Sequence, residues 1–369
     1  MRSFALLAAS IASLFAAGAQ PPQSGVRPAT PLIFDTDIGN DVDDCLALAM
    51  LHAFESRGEI RIAAVTITKD NPWAPRLASA IDRFYGRPGI PIGVVQNGKT
   101  KDDGYLRKAL EAGHYRYDDN AEPAVNLLRH TLAAQADASV VIVQVGFSTN
   151  LAHLLDSPGG RDLVMRKVKR LVAMAGDFAG GGPEYNIKTD IPAAQKLTGE
   201  WPTPIFWSGF EVGRTIRYPA RSIERDFGPP GTNPVADAYR NYMHMPYDRE
   251  TWDLTAALYA TRPDNGYFDL SEPGRVLVRA DGRERHVAAI RGECKGPPRG
   301  ESHFVGKPDL EARDFRGRGR LLAEVHKRKR RQAGRQRGRH APAQPWPQSR
   351  RRRFRARHAA RFGILRQVL

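Results

Sequence analysis

Cysteine is nearly missing from this chain, with only Cys45 and Cys294 among 369 residues. Two thiols cannot build a disulfide scaffold, so a buried core has to hold the fold. Cys45 lies among apolar residues of an expected helix and reads as a small buried side chain. After the first twenty residues no apolar run is long enough to span a bilayer, which excludes a membrane helix there. Acidic residues are scarce at one end only. Residues 291–369 hold 24 of the 56 Lys+Arg but 6 of the 40 Asp+Glu, so the formal charge of +16 comes from that segment. Residues 1–290, with 32 basic and 34 acidic groups, are close to neutral. A neutral body gives no sign of a nucleic-acid or other polyanion partner. The length suits one large domain or two ordinary ones, and 41% hydrophobic with 26% charged residues is ordinary for a soluble globular chain.

The first residues have the form of an export signal. Arg2 supplies the positive start, "FALLAASIASLF" the apolar core, and Ala17-Gly18-Ala19 a small-residue cleavage site. Residues 1–19 are therefore expected to be a signal peptide, and the mature protein to be periplasmic or secreted with no membrane contact; the alternative is an uncleaved anchor. Residues 20–30 form a Pro-rich lead-in, residues 31–290 a single domain, and residues 291–369 a basic segment of low order. The Arg-rich end supports two readings: a nucleic-acid-binding arm, or out-of-frame translation of a GC-rich gene. On either reading it buries too little apolar surface to offset chain entropy.

Within the domain, continuous β-branched runs mark strands buried on both faces: 31–36, 60–68, 90–95, 139–146, 170–176 and 203–209. Helical patterns lie between and after them, near 43–56, 74–86, 122–136, 148–156, 190–199, 233–246 and 251–261. A hairpin is expected over 274–287 around Asp281-Gly282. The alternation predicts an α/β fold, a single Rossmann-like domain with a mostly parallel central sheet.

The stretch "PLIFDTDIGNDVDDCLALAM" (31–50) gathers Asp35, Asp37, Asp41, Asp43 and Asp44 at the end of the first strand. In such sheets the binding crevice lies at the carboxyl ends of the strands. Gly39 permits a tight turn. A helix N-terminus favours an anion by only about 0.3–1 kcal/mol, too little for several carboxylates. A hard dication accepting six to eight oxygens would accommodate them. The bland alternative is a capped helix with solvated aspartates. An EF-hand does not fit, because the twelfth position counted from Asp35 is Leu46 rather than Glu. The strand-then-Asp-x-Asp pattern also occurs in haloacid-dehalogenase phosphatases, with Asp35 as nucleophile, although those enzymes normally carry Gly-Thr or Val after the pair and this chain has Ile38-Gly39.

The full string "DTDIGNDVDDCLAL" resembles the N-terminal signature of the inosine-uridine-preferring nucleoside hydrolase family, D-x-D-x-G-x-D-D-A-x-A-[IL], with a two-residue expansion at Asp41-Val42. Three further stretches come in family order. "VIVQVGFSTNLAHLL" (141–155) is similar to the strand-loop-helix around Gly-Pro-Leu-Thr-Asn. "PEYNIKTDIPAAQKL" (183–197) resembles Ala-Glu-Phe-Asn-Ile with Asp-Pro-Glu-Ala-Ala, and "TWDLTAALYA" (251–260) resembles His-Asp-Pro-x-Ala. The resemblance covers about two-thirds of the chain, over 31–261.

It implies hydrolysis of the N-glycosidic bond of ribonucleosides to ribose and free base, with a bound Ca²⁺. Carried over by position, Asp37, Asp44, Asp253 and the backbone carbonyl of Thr149 would ligate the ion, all hard oxygen donors. Asp37 would also be the general base toward metal-bound water. Asp43, Glu184 and Asn186 would hydrogen-bond the ribose, and an oxocarbenium-like transition state would be stabilised by the surrounding carboxylates. Bland readings stand beside these: Thr149-Asn150 as a helix cap, Glu184 and Asn186 as loop polars, and Asp253 as an N-terminal helix carboxylate. The chain departs from the family where Trp252 replaces a His before the second metal-binding Asp. Indole cannot protonate a leaving base, so Trp252 is expected either to stack on the nucleobase or to pack in the core. "GDFAGGG" (176–182) replaces the Gly-Asn element before Glu184. Competing functions are a phosphatase and a non-catalytic ribose-binding relative. The expected partner is a small ribonucleoside, and a homo-oligomer is compatible with the sequence.

Overall fold

The first apolar run forms strand β1 (Thr30–Thr36), whose alternate residues face opposite layers as the two-residue period of a strand requires. Leu32 and Phe34 enter one core and Ile33 the other. The computed structural model describes residues 28–180, 182–288 and 302–305. The remaining strands are β2 (Ile60–Ile67), β3 (Ile92–Val94), β4 (Glu122–Pro123), β5 (Val140–Gln144), β6 (Val168–Met174), β7 (Ile205–Ser208), β8 (Arg217–Tyr218), β9 (Arg249–Glu250), β10 (Gly274–Val278), β11 (Glu284–Ala288) and β12 (Ser302–Val305). Helices α1 (Asp43–Ser56), α2 (Trp73–Phe84), α3 (Leu106–Gly113), α4 (Ala124–Ala133), α5 (Thr149–Asp156), α6 (Gly160–Lys167), α7 (Tyr185–Thr189), α8 (Ile191–Glu200), α9 (Phe210–Arg214), α10 (Ala220–Asp226), α11 (Pro234–Tyr242) and α12 (Trp252–Thr261) connect them.

The main sheet runs β11-β10-β12-β7-β6-β5-β1-β2-β3-β4. Every pairing from β12 to β4 is parallel, and β10 adds antiparallel to β12 and β11. The mostly parallel sheet expected from the sequence is what forms. Helices α1, α2, α3, α11 and α12 cover one face through Leu46, Ile81, Leu106, Tyr239 and Ala257, all fully buried. Helices α4, α5, α6 and α8 cover the other through Leu128, Leu151, Val164 and Leu197, likewise buried. Each buried Leu, Ile or Val among them contributes about 1.5–3 kcal/mol.

Two features position the site. β1 lies between β5 and β2, so its carboxyl end opens at the middle of the sheet. The two-stranded ribbon β8–β9 delivers the chain into α12, with the Thr251 amide donating to the Ile216 carbonyl at 3.1 Å.

One boundary needs correction. The body was expected to end near residue 290, yet β12 at Ser302–Val305 lies between β7 and β10 and carries the hairpin onto the sheet. Four residues cannot show a period, and this strand exists because the edge of β7 offers it backbone partners. The rest of the basic segment, the expected signal peptide and most of the Pro-rich lead-in lie outside the described residues. Among the described residues no helix is long and apolar enough to cross a membrane.

Candidate active site

The five aspartates separate into three environments. Asp35, in β1, is fully buried; its Oδ1 accepts from Thr66 Oγ1 at 2.6 Å and Asn150 Nδ2 at 2.9 Å. Burial pushes its carboxyl up to about 7 against those two hydrogen bonds. A group so enclosed cannot meet a phosphoryl substrate, which argues against the phosphatase alternative. Asp41, in the two-residue expansion, turns away to a bidentate ion pair with Arg249. Asp43 and Asp44 open α1 and converge with Asp253 at the start of α12, with one oxygen of each within 4.8 Å of the others.

That convergence is electrostatically unfavourable by itself. Asp43, Asp44 and Asp253 are buried, and desolvation followed by repulsion from neighbouring aspartates, Asp41 and Asp37 among them, raises all three carboxyls well above the usual range. The hydrogen bonds there are few. The Asp253 amide donates to Asp43 Oδ2 at 3.0 Å, and Thr36 Oγ1 donates to Asp44 Oδ1. Asp44 Oδ2 is buried without a partner. Three converging carboxylates, one of them with an orphaned buried oxygen, are a donor set that suits a hard dication. The residues present therefore fit a metal ion.

Asp37 stands beside this group, and its charge raises Asp43, Asp44 and Asp253 alike. Its Oδ2 accepts from Asn40 Nδ2 at 2.8 Å, and burial raises it to about 6. The turn that brings it here needs Gly39, at φ +113°, where a Cβ would lie 2.6 Å from the Leu106 side chain. Gly146 is equally constrained, since a Cβ there would come within 2.6 Å of the Asp37 amide nitrogen.

The other expected site residues divide. Thr149 and Asn150 begin α5 but do not cap it; Thr149 Oγ1 donates to Asp190 Oδ2 at 2.6 Å, and Asn150 holds Asp35. Glu184 caps α7, a role the sequence did not suggest, accepting from the amides of Asn186 at 2.9 Å and Ile187 at 3.2 Å. It also accepts from the Gly176 amide at 3.2 Å, and burial raises its carboxyl to about 7. Asn186 Nδ2 donates to the carbonyls of Val145 and Met174 at 2.8 and 3.0 Å, which fixes its amide orientation at the ends of β5 and β6. Trp252 is half-buried: its ring stacks on Phe210 with centroids 5.4 Å apart, and its Nε1 donates to the Phe210 carbonyl at 2.9 Å. The Arg249 guanidinium lies 5.2 Å from the same ring. These contacts favour packing over base stacking.

Sequence reasoning missed Asn40, Lys69 and Arg249. Nothing in local sequence marks a lysine after a strand as buried, yet Lys69 is 0% exposed and donates to Asn40 Oδ1 at 2.7 Å. A polar hollow of about 460 Å³ opens next to the aspartate turn, between Gly39, Asn40, Tyr105, Tyr185 and Tyr242. A second hollow of about 520 Å³, near Arg129 and Arg166, is lined by none of these groups.

The sequence profile of the inosine-uridine preferring nucleoside hydrolases matches residues 32–335. The chain belongs to that family. The match extends beyond 261, where the recognisable motifs end, and past residue 290. Solved structures agree in fold. A plant nucleoside hydrolase is 20% identical with a TM-score of 0.59, covering 77% of this chain and 96% of that one. The inosine-uridine preferring nucleoside hydrolase of Bacillus anthracis is 18% identical with a TM-score of 0.56, covering 76% and 95%. The purine-preferring ribonucleoside hydrolase of Gardnerella vaginalis is 19% identical with a TM-score of 0.58, covering 76% and 94%. No curated protein sequence matches significantly. The family is one of enzymes that hydrolyse nucleosides, and the acidic group at the carboxyl end of β1 is this chain's candidate for that chemistry.

Proposed function

We propose that the protein hydrolyses the N-glycosidic bond of ribonucleosides to ribose and free base, using Ca²⁺ and Asp37. The single observation that carries this reading is the convergence of Asp43, Asp44 and Asp253 within 4.8 Å beside Asp37. Asp44, Asp253, the Thr149 carbonyl and Asp37 would hold the ion, with Asp43 close enough to reach both the ion and a sugar hydroxyl. When bound, the ion offsets the carboxylate charge and makes nearby water more acidic.

Asp37 then removes a proton from the attacking water. Burial raises this carboxyl and a bound cation would draw it back down, so water made more acidic by the ion needs only a carboxylate of ordinary basicity. Asn40 holds one oxygen of that carboxylate and leaves the other for the water. Asp43 and Asn186 grip the sugar. Their carboxylate and amide dipoles stabilise positive charge as the bond to the base lengthens. A site so rich in buried acceptors selects for ribose, because a sugar lacking a hydroxyl leaves one of them unpaired. The leaving base departs into the hollow walled by Tyr105, Tyr185 and Tyr242, and Trp252, tied to Phe210, packs beside Asp253 rather than donating a proton. The export signal supports action outside the cytoplasm, which cell fractionation would check.

The test is free-ribose release by the full chain from inosine and uridine, with and without a chelator, alongside p-nitrophenyl phosphate. The expected result is chelator-sensitive ribose release that falls at least about a hundredfold in Asp37→Asn, the scale of a lost general base. Ribose release indifferent to both the chelator and D37N would overturn the reading. Phosphate release in its place would favour the phosphatase.

A further inference from the structure

Lys69 poses a problem that the reaction described above does not solve. It follows β2 at the carboxyl edge of the sheet, its side chain is 0% exposed, and a buried ammonium costs several kcal/mol unless well partnered. Its only ion-pair partner among the described residues, Asp102 at 3.0 Å, is 71% exposed, and such half-solvated pairs are weak. The less exposed partner is Asn40, half-buried at the rim of the polar hollow, whose Oδ1 accepts from Lys69 Nζ at 2.7 Å.

The hydrogen-bond inventory gives this contact a direction. An ammonium only donates, so the oxygen of the Asn40 amide must face Lys69 and its NH₂ must face the other way. That NH₂ has two hydrogens, and two acceptors lie before it: Asp37 Oδ2 at 2.8 Å and Thr100 Oγ1 at 3.3 Å. Were the amide reversed, its oxygen would oppose the Asp37 carboxylate. Resting on the hydrolase reading above, we infer that Lys69 is a positioning residue: through Asn40 it fixes the rotation of the Asp37 carboxylate, holding one oxygen and presenting the other to the attacking water. The chain Lys69–Asn40–Asp37 links the loop after β2 to the loop after β1, so two neighbouring strand ends set one catalytic angle.

The test compares Lys69→Met, Asn40→Ala, the double variant and Asp102→Asn by kinetics and by crystal structures of wild type and K69M. A positioning role predicts a fall in kcat of about 10–100-fold for K69M and N40A, with KM changed by less than about threefold, the scale on which an outer partner acts. Because both act along one chain, the double variant should be no slower than the worse single. D102N, which removes only the exposed partner, should show under a tenth of the K69M effect. In K69M crystals the Asn40 amide and the Asp37 carboxylate should both have turned. If K69M does not fold, Lys69→Arg and Lys69→Gln decide. Arg keeps a donor-only cation and should retain most of kcat, whereas Gln can turn either way and should not.

Multiplying effects of K69M and N40A, D102N as damaging as K69M, K69Q as active as K69R, or an unmoved Asp37 in K69M would each overturn the inference. If wild type releases no ribose from any nucleoside, the hydrolase reading fails by itself, and the crystal comparison still decides whether Lys69 sets Asp37.

Discussion

Replacing Asp253 by asparagine should raise stability under one condition and remove it under another. Asp43, Asp44 and Asp253 place three buried carboxylate oxygens within 4.8 Å of one another. Two unit charges at that separation repel by about 3 kcal/mol at an effective dielectric constant of about 20. Protonation relieves part of this, as the raised carboxyls show, so removing one member should recover about 1–3 kcal/mol in protein stripped of metal. Asparagine keeps the shape, and the Asp253 amide that binds Asp43 is backbone and unaffected. For a domain of this size, 1 kcal/mol moves Tm by about 2–4 °C, so D253N should melt roughly 2–12 °C above wild type in chelator.

With Ca²⁺ the order should reverse. A ligand at a hundred times its Kd stabilises the native state by about 2.7 kcal/mol, and wild type should gain that while D253N, short of a ligand, gains little. Thermal unfolding followed by circular dichroism, in chelator and across a Ca²⁺ titration, reads both effects. If D253N melts below wild type in chelator, or keeps the full Ca²⁺ shift, the carboxylates are not a strained metal cradle and the electrostatic argument is wrong.

Two further outcomes probe the surrounding frame. Glu184→Gln leaves one accepting oxygen for three amides, so it should lower stability by about 1–2 kcal/mol in urea unfolding and raise KM through Asn186; an unchanged urea midpoint would contradict the capping role. Away from the site, His52 Nε2 pairs with Asp82 Oδ1 at 2.7 Å between α1 and α2. Burial lowers the imidazole, but the hydrogen bond to Asp82 and the Glu55 carboxylate 3.8 Å away outweigh it and the net shift is upward. A raised histidine stabilises fully below its unfolded value of about 6.5, and loses that contribution as pH rises through the folded value. Wild type should therefore exceed His52→Gln in stability by about 3 kcal/mol near pH 6, the scale of a broken buried pair, with the gap narrowing toward pH 9. A gap that widens with pH would show the pair to be neutral.

The range of an interaction decides whether the sequence reveals it. Strands β1, β2, β5, β6 and β7 are legible because burial on both faces demands unbroken β-branched runs, which need no knowledge of partners. The aspartate turn is legible for a similar reason: five like charges in ten residues are a local anomaly that calls for a cation. The short ribbon β8–β9 and strand β12 leave no such trace, because two to four residues become strands only where a distant edge accepts them. The polar residues divide on the same principle. Thr149 and Asn150 carry the composition of a helix cap, but their side chains reach Asp190 and Asp35, 41 and 115 positions away. Glu184, read from the sequence as a ribose ligand or a loop polar, instead caps α7, a helix of five residues too short to leave a periodic trace.

Lys69 is the extreme case. A lysine next to an aspartate after a strand reads as a solvated surface charge, and only the joining of loops 29 and 33 residues apart turns it into a buried donor. The same long-range closure that hides Lys69 from the sequence gives it influence over Asp37. An exposed lysine at that place would have water to satisfy it and no reason to orient Asn40. A fully enclosed one must find an acceptor, and in taking the Asn40 oxygen it commits the opposite end of that amide to Asp37. The carboxylate proposed as general base is therefore held by a constraint that originates in desolvation, and any substitution that lets water reach Lys69 should loosen Asp37 even where no direct contact to it is touched.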